Sequence, residues 1–484
     1  MTGPGGRVRR RAFLRGGLAT GAATLATGAL PGCGPSVPSG PGAAPAVRPA
    51  VLQVPLQLYV VGEPHGPTGQ RLIQDFLDSS FNARHKGVRA MAGFQGPAEA
   101  TVAAITSGSA MPAVVSGCCV TWPTLLPFLA RLDPYFQQDN VPLSTWGRGQ
   151  LARFRQPDGL YGLPEDAACD VYLYRQDILD QLGLQYPAPD WTAAEATRLW
   201  RTCSGQTSAG WRYEANAPFG PGTTEGLPTV VAGFGGAFMD AGQTRCLLNA
   251  AGSIRAGEYW LHQVWDKVLT NGDGSPNPLI ASGQLVFNTS ADPTVLYAVQ
   301  QLGSSIKWDF IPWPRMPVRP VGKLHDNFYA LVAQYPHQEV AWELLKFIAI
   351  EPTWSRYYMR LALAPPMLAG MMQEWYTILR SVAPILKDKH LEYWGQPTLE
   401  GWGIYDYEFF RYAPVNALGA LVGAWGGLWD HKTTVTLGFR EIARQIDGIE
   451  AAGASAAPPA TAAQLIGAQH RLEAGVAQMI SSGS

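Results

Sequence analysis

Strand and helix alternate from the start of the folded part of this chain, and that rhythm narrows its architecture more than any other feature. Leu52 to Val61 sets Leu56, Leu58 and Val60 against Gln57 and Tyr59, which predicts a first strand. Glu63-Pro64-His65-Gly66 ends it, and a helix is predicted from Thr68, with Leu72, Ile73, Phe76 and Leu77 on one face. Val88 to Phe94 predicts a second strand, and Pro97 to Thr106 a helix with proline in its first turn. Ala113 to Ser116 follows as a third strand and Trp122 to Arg131 as another helix. A β-α-β-α-β order calls for a parallel α/β sheet. Ligands of such sheets sit beyond the carboxyl ends of the strands, here the loops 62–65, 117–122 and 164–170.

One such sheet does not use up the chain. Its 484 residues exceed the roughly 250–300 at which a single core stops growing, so two or three folding units are expected. With 46% hydrophobic and 15% charged residues, each unit has enough apolar side chains to bury. The 36 basic and 37 acidic residues leave a net charge of −1, without the basic excess of a nucleic-acid-binding protein. Sixteen Trp and 18 Tyr mostly serve cores, and a flat ligand such as a sugar ring would use them too.

Residues 1–33 stand apart from the fold. Arg10-Arg11-Ala12-Phe13-Leu14-Arg15 resembles the twin-arginine export signal, and the mild apolar run Gly16 to Leu30 is too short for a secure membrane span. Leu30-Pro31-Gly32-Cys33 is similar to the lipobox of bacterial lipoproteins, which implies a lipid on Cys33; the plainer reading is an ordinary cysteine after a cleaved peptide. Residues 34–50, rich in Pro, Gly and Ala, predict an extended tether. No later stretch reaches the ~18 uninterrupted apolar residues of a transmembrane helix.

The most specific stretch is Tyr161-Gly-Leu-Pro-Glu-Asp-Ala-Ala-Cys-Asp-Val-Tyr-Leu-Tyr-Arg-Gln-Asp-Ile178, followed by Gly183-Leu-Gln-Tyr-Pro187 and Asp190-Trp191-Thr192. This order of Gly-Leu-Pro, polar loop, aromatic strand, helix and Trp-Thr resembles the extracellular solute-binding proteins of ABC sugar importers, the maltose-binding-like group. Thr192-Ala-Ala-Glu195 is a capping box that opens the next helix. Gly233 to Phe238, Ala281 to Asn288, Trp308 to Pro314 and Leu363 to Met367 resemble later parts of that family. The resemblance covers about residues 52–450 and implies a class II, two-lobed α/β fold of the periplasmic-binding-protein type, with its cleft between lobes joined by crossing hinge strands. The expected division is 51–162 plus 328–363 for lobe 1, and 163–327 plus 364–450 for lobe 2. Residues 451–484 are expected to form a linker and a C-terminal helix, Ala460 to Ile480.

The same resemblance places Glu165 and Asp166 beside the cleft, where paired carboxylates accept bonds from vicinal sugar hydroxyls; a solvated turn is the duller alternative. Tyr172 and Tyr174 alternate with Val171 and Leu173, so one face of that strand is expected to look at the ligand, with core packing the competing role. Trp122 and His65 lie in strand-end loops, and Trp308, Trp313, Trp402 and Tyr405 are further stacking candidates. Asn288, Ser290 and Asp292 are expected in the loop after a strand, where they could hydrogen-bond a ligand, and Asp326 at the second crossover; Asn and Asp also simply make turns. The eight His and six Cys fit no metal-ligand spacing, and no G-x-S-x-G, G-x-G-x-x-G or P-loop occurs, so neither metal, cofactor nor catalysis is expected. The implied function is non-catalytic: an exported, lipid-anchored, monomeric protein that binds a carbohydrate by hinge closure and hands it to the membrane subunits of an ABC permease. The alternatives are a carbohydrate-active enzyme outside the cytoplasm, since glycosidases also use two carboxylates, and a sensor built on the same fold.

Overall fold

Strand pairing shows how far the alternation carries. In the computed structural model, Ala50–Leu56 and Val88–Phe94 lie side by side in parallel, from Ala50 beside Val88 to Leu56 beside Phe94. The residues described are 50–56, 59–60, 63–64, 67–94, 98–108, 111–117, 122–147, 150–167, 169–207, 210–211, 214–215, 226–240, 244–269, 285–290, 306–324, 327–401, 403–405 and 425–455. His65, Asp292, Asp326, Trp402, Cys33 and the expected helix Ala460 to Ile480 lie outside them.

The helix Pro67–Ser79 buries Ile73 and Leu77 as its periodicity predicts, whereas Leu72 is 40% exposed at the margin of that face. Trp122–Leu125 is shorter than expected. Pro127 lacks the N–H that an α-helix needs at this point; the chain continues as a 3-10 turn, Leu126–Phe128, and Leu129 then bridges to Val332. The capping box forms with both arms in place. Glu195 N–H donates to Thr192 Oγ1 at 3.3 Å, and Thr192 N–H donates to Glu195 Oε2 at 2.7 Å.

Neither main sheet is purely parallel. Phe328–Leu331 runs between Val114–Gly117 and Leu163–Pro164 and is antiparallel to both. It returns from the other half of the molecule and so enters against the direction of its neighbours. The second sheet has the order Glu214–Ala215, Leu285–Ser290, Val171–Arg175, Trp308–Ile311. Val171–Arg175 lies inside it, antiparallel to both partners, and all five of its residues are buried.

This second sheet is covered on both faces. Tyr172, Tyr174, Phe287 and Ile311 pack into one core with Trp200, Trp260 and Phe439, from the helices Ala193–Cys203, Ala251–Trp265 and Val435–Ser455. Val171, Leu173, Trp308 and Phe310 pack into the other, where Phe310 meets Trp394 at 4.4 Å between ring centres and Trp394 meets Trp375 at 5.7 Å. That core continues without a break through Leu363 and Met367 to Trp354, Phe347 and the first sheet. No gap in packing falls at 363/364 among the described residues, since Met359, Leu363, Ala364 and Met367 all belong to this one core.

Phe347, fully buried against Phe76, Phe81 and Trp354, anchors the first half. Phe347→Ala is expected to cost about 3–5 kcal/mol and Thr192→Ala about 1 kcal/mol, read from chemical denaturation. Asp139 takes hydrogen bonds from Lys346 Nζ at 2.5 Å and Trp342 Nε1 at 2.8 Å, which hold its carboxyl below the usual carboxylate range. A depressed carboxyl stabilises the fold above its unfolded-state value of about 4 and loses that contribution as pH falls through its folded-state value. The stability gap between wild type and Asp139→Asn, measured by denaturation from pH 7 down to 3, should accordingly shrink below about pH 4.

Candidate functional site at the chain crossings

Leu163–Pro164 ends in the first sheet and Val171–Arg175 begins inside the second, so residues 165–170 pass between them. The chain comes back through Gly322–Leu324, paired in parallel with Gly403–Tyr405, into Phe328–Leu331. The two passages run side by side as a narrow antiparallel ribbon. Glu165 N–H donates to Asn327 O and Asp170 N–H to Lys323 O, both at 2.8 Å, and Cys169 bridges Leu324 between them.

Charged side chains gather on this ribbon although it is shielded from water. Glu165 is 1% exposed, and its Oε1 accepts from the Tyr358 hydroxyl at 3.0 Å. The Tyr329 phenol lies near enough to the same carboxylate to feel its charge. Burial first, and the nearby Glu165 charge second, push both phenols well above their ordinary range, so they stay protonated donors at any physiological pH. Asp166 accepts from Asn327 Nδ2 at 3.3 Å. Asp170 and Lys323 form an ion pair at 3.1 Å with side chains 6% and 5% exposed. Between these anchors sits Cys169, fully buried, its Sγ 3.3 Å from the Asp170 carbonyl; burial pushes its thiol well up. Gly322 is needed opposite it, since a Cβ there would lie 2.7 Å from Pro397 Cγ and 3.0 Å from Cys169 Sγ.

The ring candidates meet a different fate from the carboxylates. Trp122 stands edge-on to Phe154 and Phe328 at 5.1 and 4.8 Å, with Gly162 against its ring, and belongs to the first core. Tyr172 is enclosed by Trp191, Trp200 and Trp313 at 5.8–6.1 Å in the second core, and Tyr174 stacks on Phe287. Trp308 packs against Phe310, with Lys389 Nζ 4.5 Å from its ring centre. In this conformation Trp122, Tyr172, Trp308 and Trp313 are thus packing rings, each buried in one of the two cores. Asn288 is buried within its strand, opposite Leu173, and not in a loop.

Sequence reasoning passed over Asp170, Lys323, Asn327, Tyr329 and Tyr358. Lys323 carried a faint signal, a single cation in the strand Gly322–Leu324. Tyr358 carried none, being 193 residues from the carboxylate it serves. Among the described residues no group of His, Cys, Asp and Glu is arranged to hold a metal ion, and no helix is long and apolar enough to cross a membrane.

Comparison with known proteins gives this arrangement a family. The family described as bacterial extracellular solute-binding protein matches residues 64–350, more than half of the chain, and the chain belongs to it. No curated protein matches. Among solved structures, a cyclic alpha-maltosyl-1,6-maltose binding protein from Arthrobacter globiformis is similar at 15% identity, with a TM-score of 0.67 over 84% of this chain and 100% of that one. The sugar-binding protein MalE from Xanthomonas citri is similar at 13% identity, TM-score 0.67, over 83% and 97%. UgpB from Mycobacterium tuberculosis, in complex with glycerophosphocholine, is similar at 18% identity, TM-score 0.62, over 79% and 95%. Such likeness establishes the fold: a class II periplasmic-binding-protein fold, two lobes with crossing strands between them.

Two neighbouring tyrosines test the anchoring of Glu165. Tyr358→Phe removes a donor from a buried carboxylate and should cost about 1–3 kcal/mol. Tyr357→Phe removes a buried hydroxyl that has no hydrogen-bond partner among the described residues and should leave stability unchanged or slightly raised. The midpoints of chemical denaturation check both.

Proposed function

We propose that this extracellular solute-binding protein captures a carbohydrate by closing its lobes about the paired crossings and delivers it to an ABC permease without chemistry. The observation that carries the reading is the ribbon itself: two short passages join two separately organised sheets, the arrangement needed for hinge motion. A ligand stabilises closure only through contacts it makes better in the closed state, so its site is divided between the lobes. Membership of the family supports the role. The sugar-binding proteins among the similar folds support the cargo class, and UgpB widens the class to be tested to glycerophosphodiesters.

Within that reading, Asp166 is the carboxylate offered to ligand hydroxyls, while Glu165 lies behind it, held by Tyr358. His65, Asp292, Asp326 and Trp402 complete the proposed set. Export by the twin-arginine route and a lipid on Cys33 would hold the protein at the outer face of the membrane, with residues 34–50 as tether.

A thermal-shift screen of the purified protein against mono- and oligosaccharides, polyols and glycerophosphodiesters tests the cargo. A ligand at 100 times its dissociation constant should add about 2.7 kcal/mol to the native state. Asp166→Asn should lose most of that gain, and recovery of the ligand chemically unchanged separates binding from hydrolysis. A panel without any response would count against the carbohydrate assignment. For the anchor, Cys33→Ala expressed in the native host should move the protein from the membrane fraction to the soluble one.

A further inference from the structure

The buried ion pair between Asp170 and Lys323 is poorly explained as a source of stability. Removing two charges from water costs about as much as their attraction returns, and apolar residues of similar size commonly serve a core equally well. Its location suggests a different role. Asp170 is the last residue of the first passage before Val171–Arg175, and Lys323 lies in Gly322–Leu324 on the second passage. The same two residues also share a backbone hydrogen bond, Asp170 N–H to Lys323 O at 2.8 Å. At the other end, Glu165 N–H to Asn327 O ties the passages again, beside the side-chain bond from Asn327 Nδ2 to Asp166. The ribbon is therefore clamped at both ends, with 166–169 as the span between. Helix Glu392–Glu400 supports that span, through Pro397 against Gly322 and Thr398 Oγ1 3.5 Å from the Ala167 carbonyl.

We propose that the Asp170–Lys323 pair locks the two passages into a single hinge element, so that the lobes turn about both together, and that Lys323 is a positioning residue for ligand capture. Two independent linkers would let the lobes twist as well as close, and the halves of a divided site would seldom face each other. A protein whose competent arrangement is populated only in part binds with its affinity reduced by that fraction. Lys323 thus acts on affinity through geometry, by way of Asp170. The inference rests on capture by lobe closure, yet its test needs no ligand and so is independent of the cargo.

Cys169, buried inside the ribbon, is a built-in reporter, and Cys203 and Cys246, buried in the second half, are its controls. The ligand-free, full-length protein would be treated with N-ethylmaleimide, the modification rate at each cysteine read by peptide mass spectrometry, and the same samples measured by small-angle X-ray scattering. Lys323→Met is expected to raise the Cys169 rate at least tenfold and to increase the radius of gyration, with Cys203 and Cys246 unchanged. Lys323→Arg should restore both readouts towards wild type. The double variant Asp170→Asn/Lys323→Met removes both charges of the pair together. It should keep Cys203 and Cys246 protected and still expose Cys169. Protection of Cys169 in Lys323→Met would overturn the proposal. So would a parallel rise at all three cysteines in both Lys323→Met and the double variant, because loosening would then be global and not a property of the hinge.

Discussion

Two backbone hydrogen bonds between residues 165–170 and 323–327 are the constraint on which the rest of this molecule depends. The passages are too short to fold by themselves, and each leaves a sheet whose hydrogen bonds are already satisfied. Pairing with each other gives their own backbone groups partners away from water. Once paired, they bring charged side chains into a place with little solvent. Each such charge must then be matched locally, because an uncompensated one would cost several kcal/mol. Tyr358 for Glu165, Asn327 for Asp166 and Lys323 for Asp170 are that matching. The polar character of the crossing follows from its geometry.

The ribbon also explains why the two halves share so much packing. Helix Glu392–Glu400 leans on Gly322 and Cys169, and the same helix sends Trp394 onto Phe310 of the second sheet. Its neighbour Met372–Val382 brings Trp375 to Trp394 and donates that indole N–H to the Leu363 carbonyl. One apolar layer thus spans both sheets behind the crossings. The other face of the second sheet is closed by different helices and a separate core.

Elements governed by neighbours in sequence were legible without a structure. The helix face of Ile73 and Leu77, the capping box at Thr192 and the strand Val171–Arg175 followed from periodicity and local chemistry, and the order of motifs around Gly162-Leu163-Pro164 pointed to the family. The site was only partly legible. Glu165 and Asp166 were found because both sit on the crossing itself, yet their sequence surroundings do not reveal that Glu165 is turned inward to two phenols. Trp122, Tyr172 and Trp308 looked like ligand platforms because a stacking ring and a core ring are the same residue type. Only the neighbours in space distinguish the two.

By itself, then, the chain's sequence determined its layer architecture, the positions of its turns and caps, and the stretch where it changes lobe, because each depends on side chains a few residues apart. The tertiary structure decided which rings pack and which carboxylate faces inward. It also decided that Asp170 meets Lys323. These are contacts between residues far apart in the chain, and local propensity carries no record of them: whether a buried charge has a partner is settled only when distant strands are brought side by side.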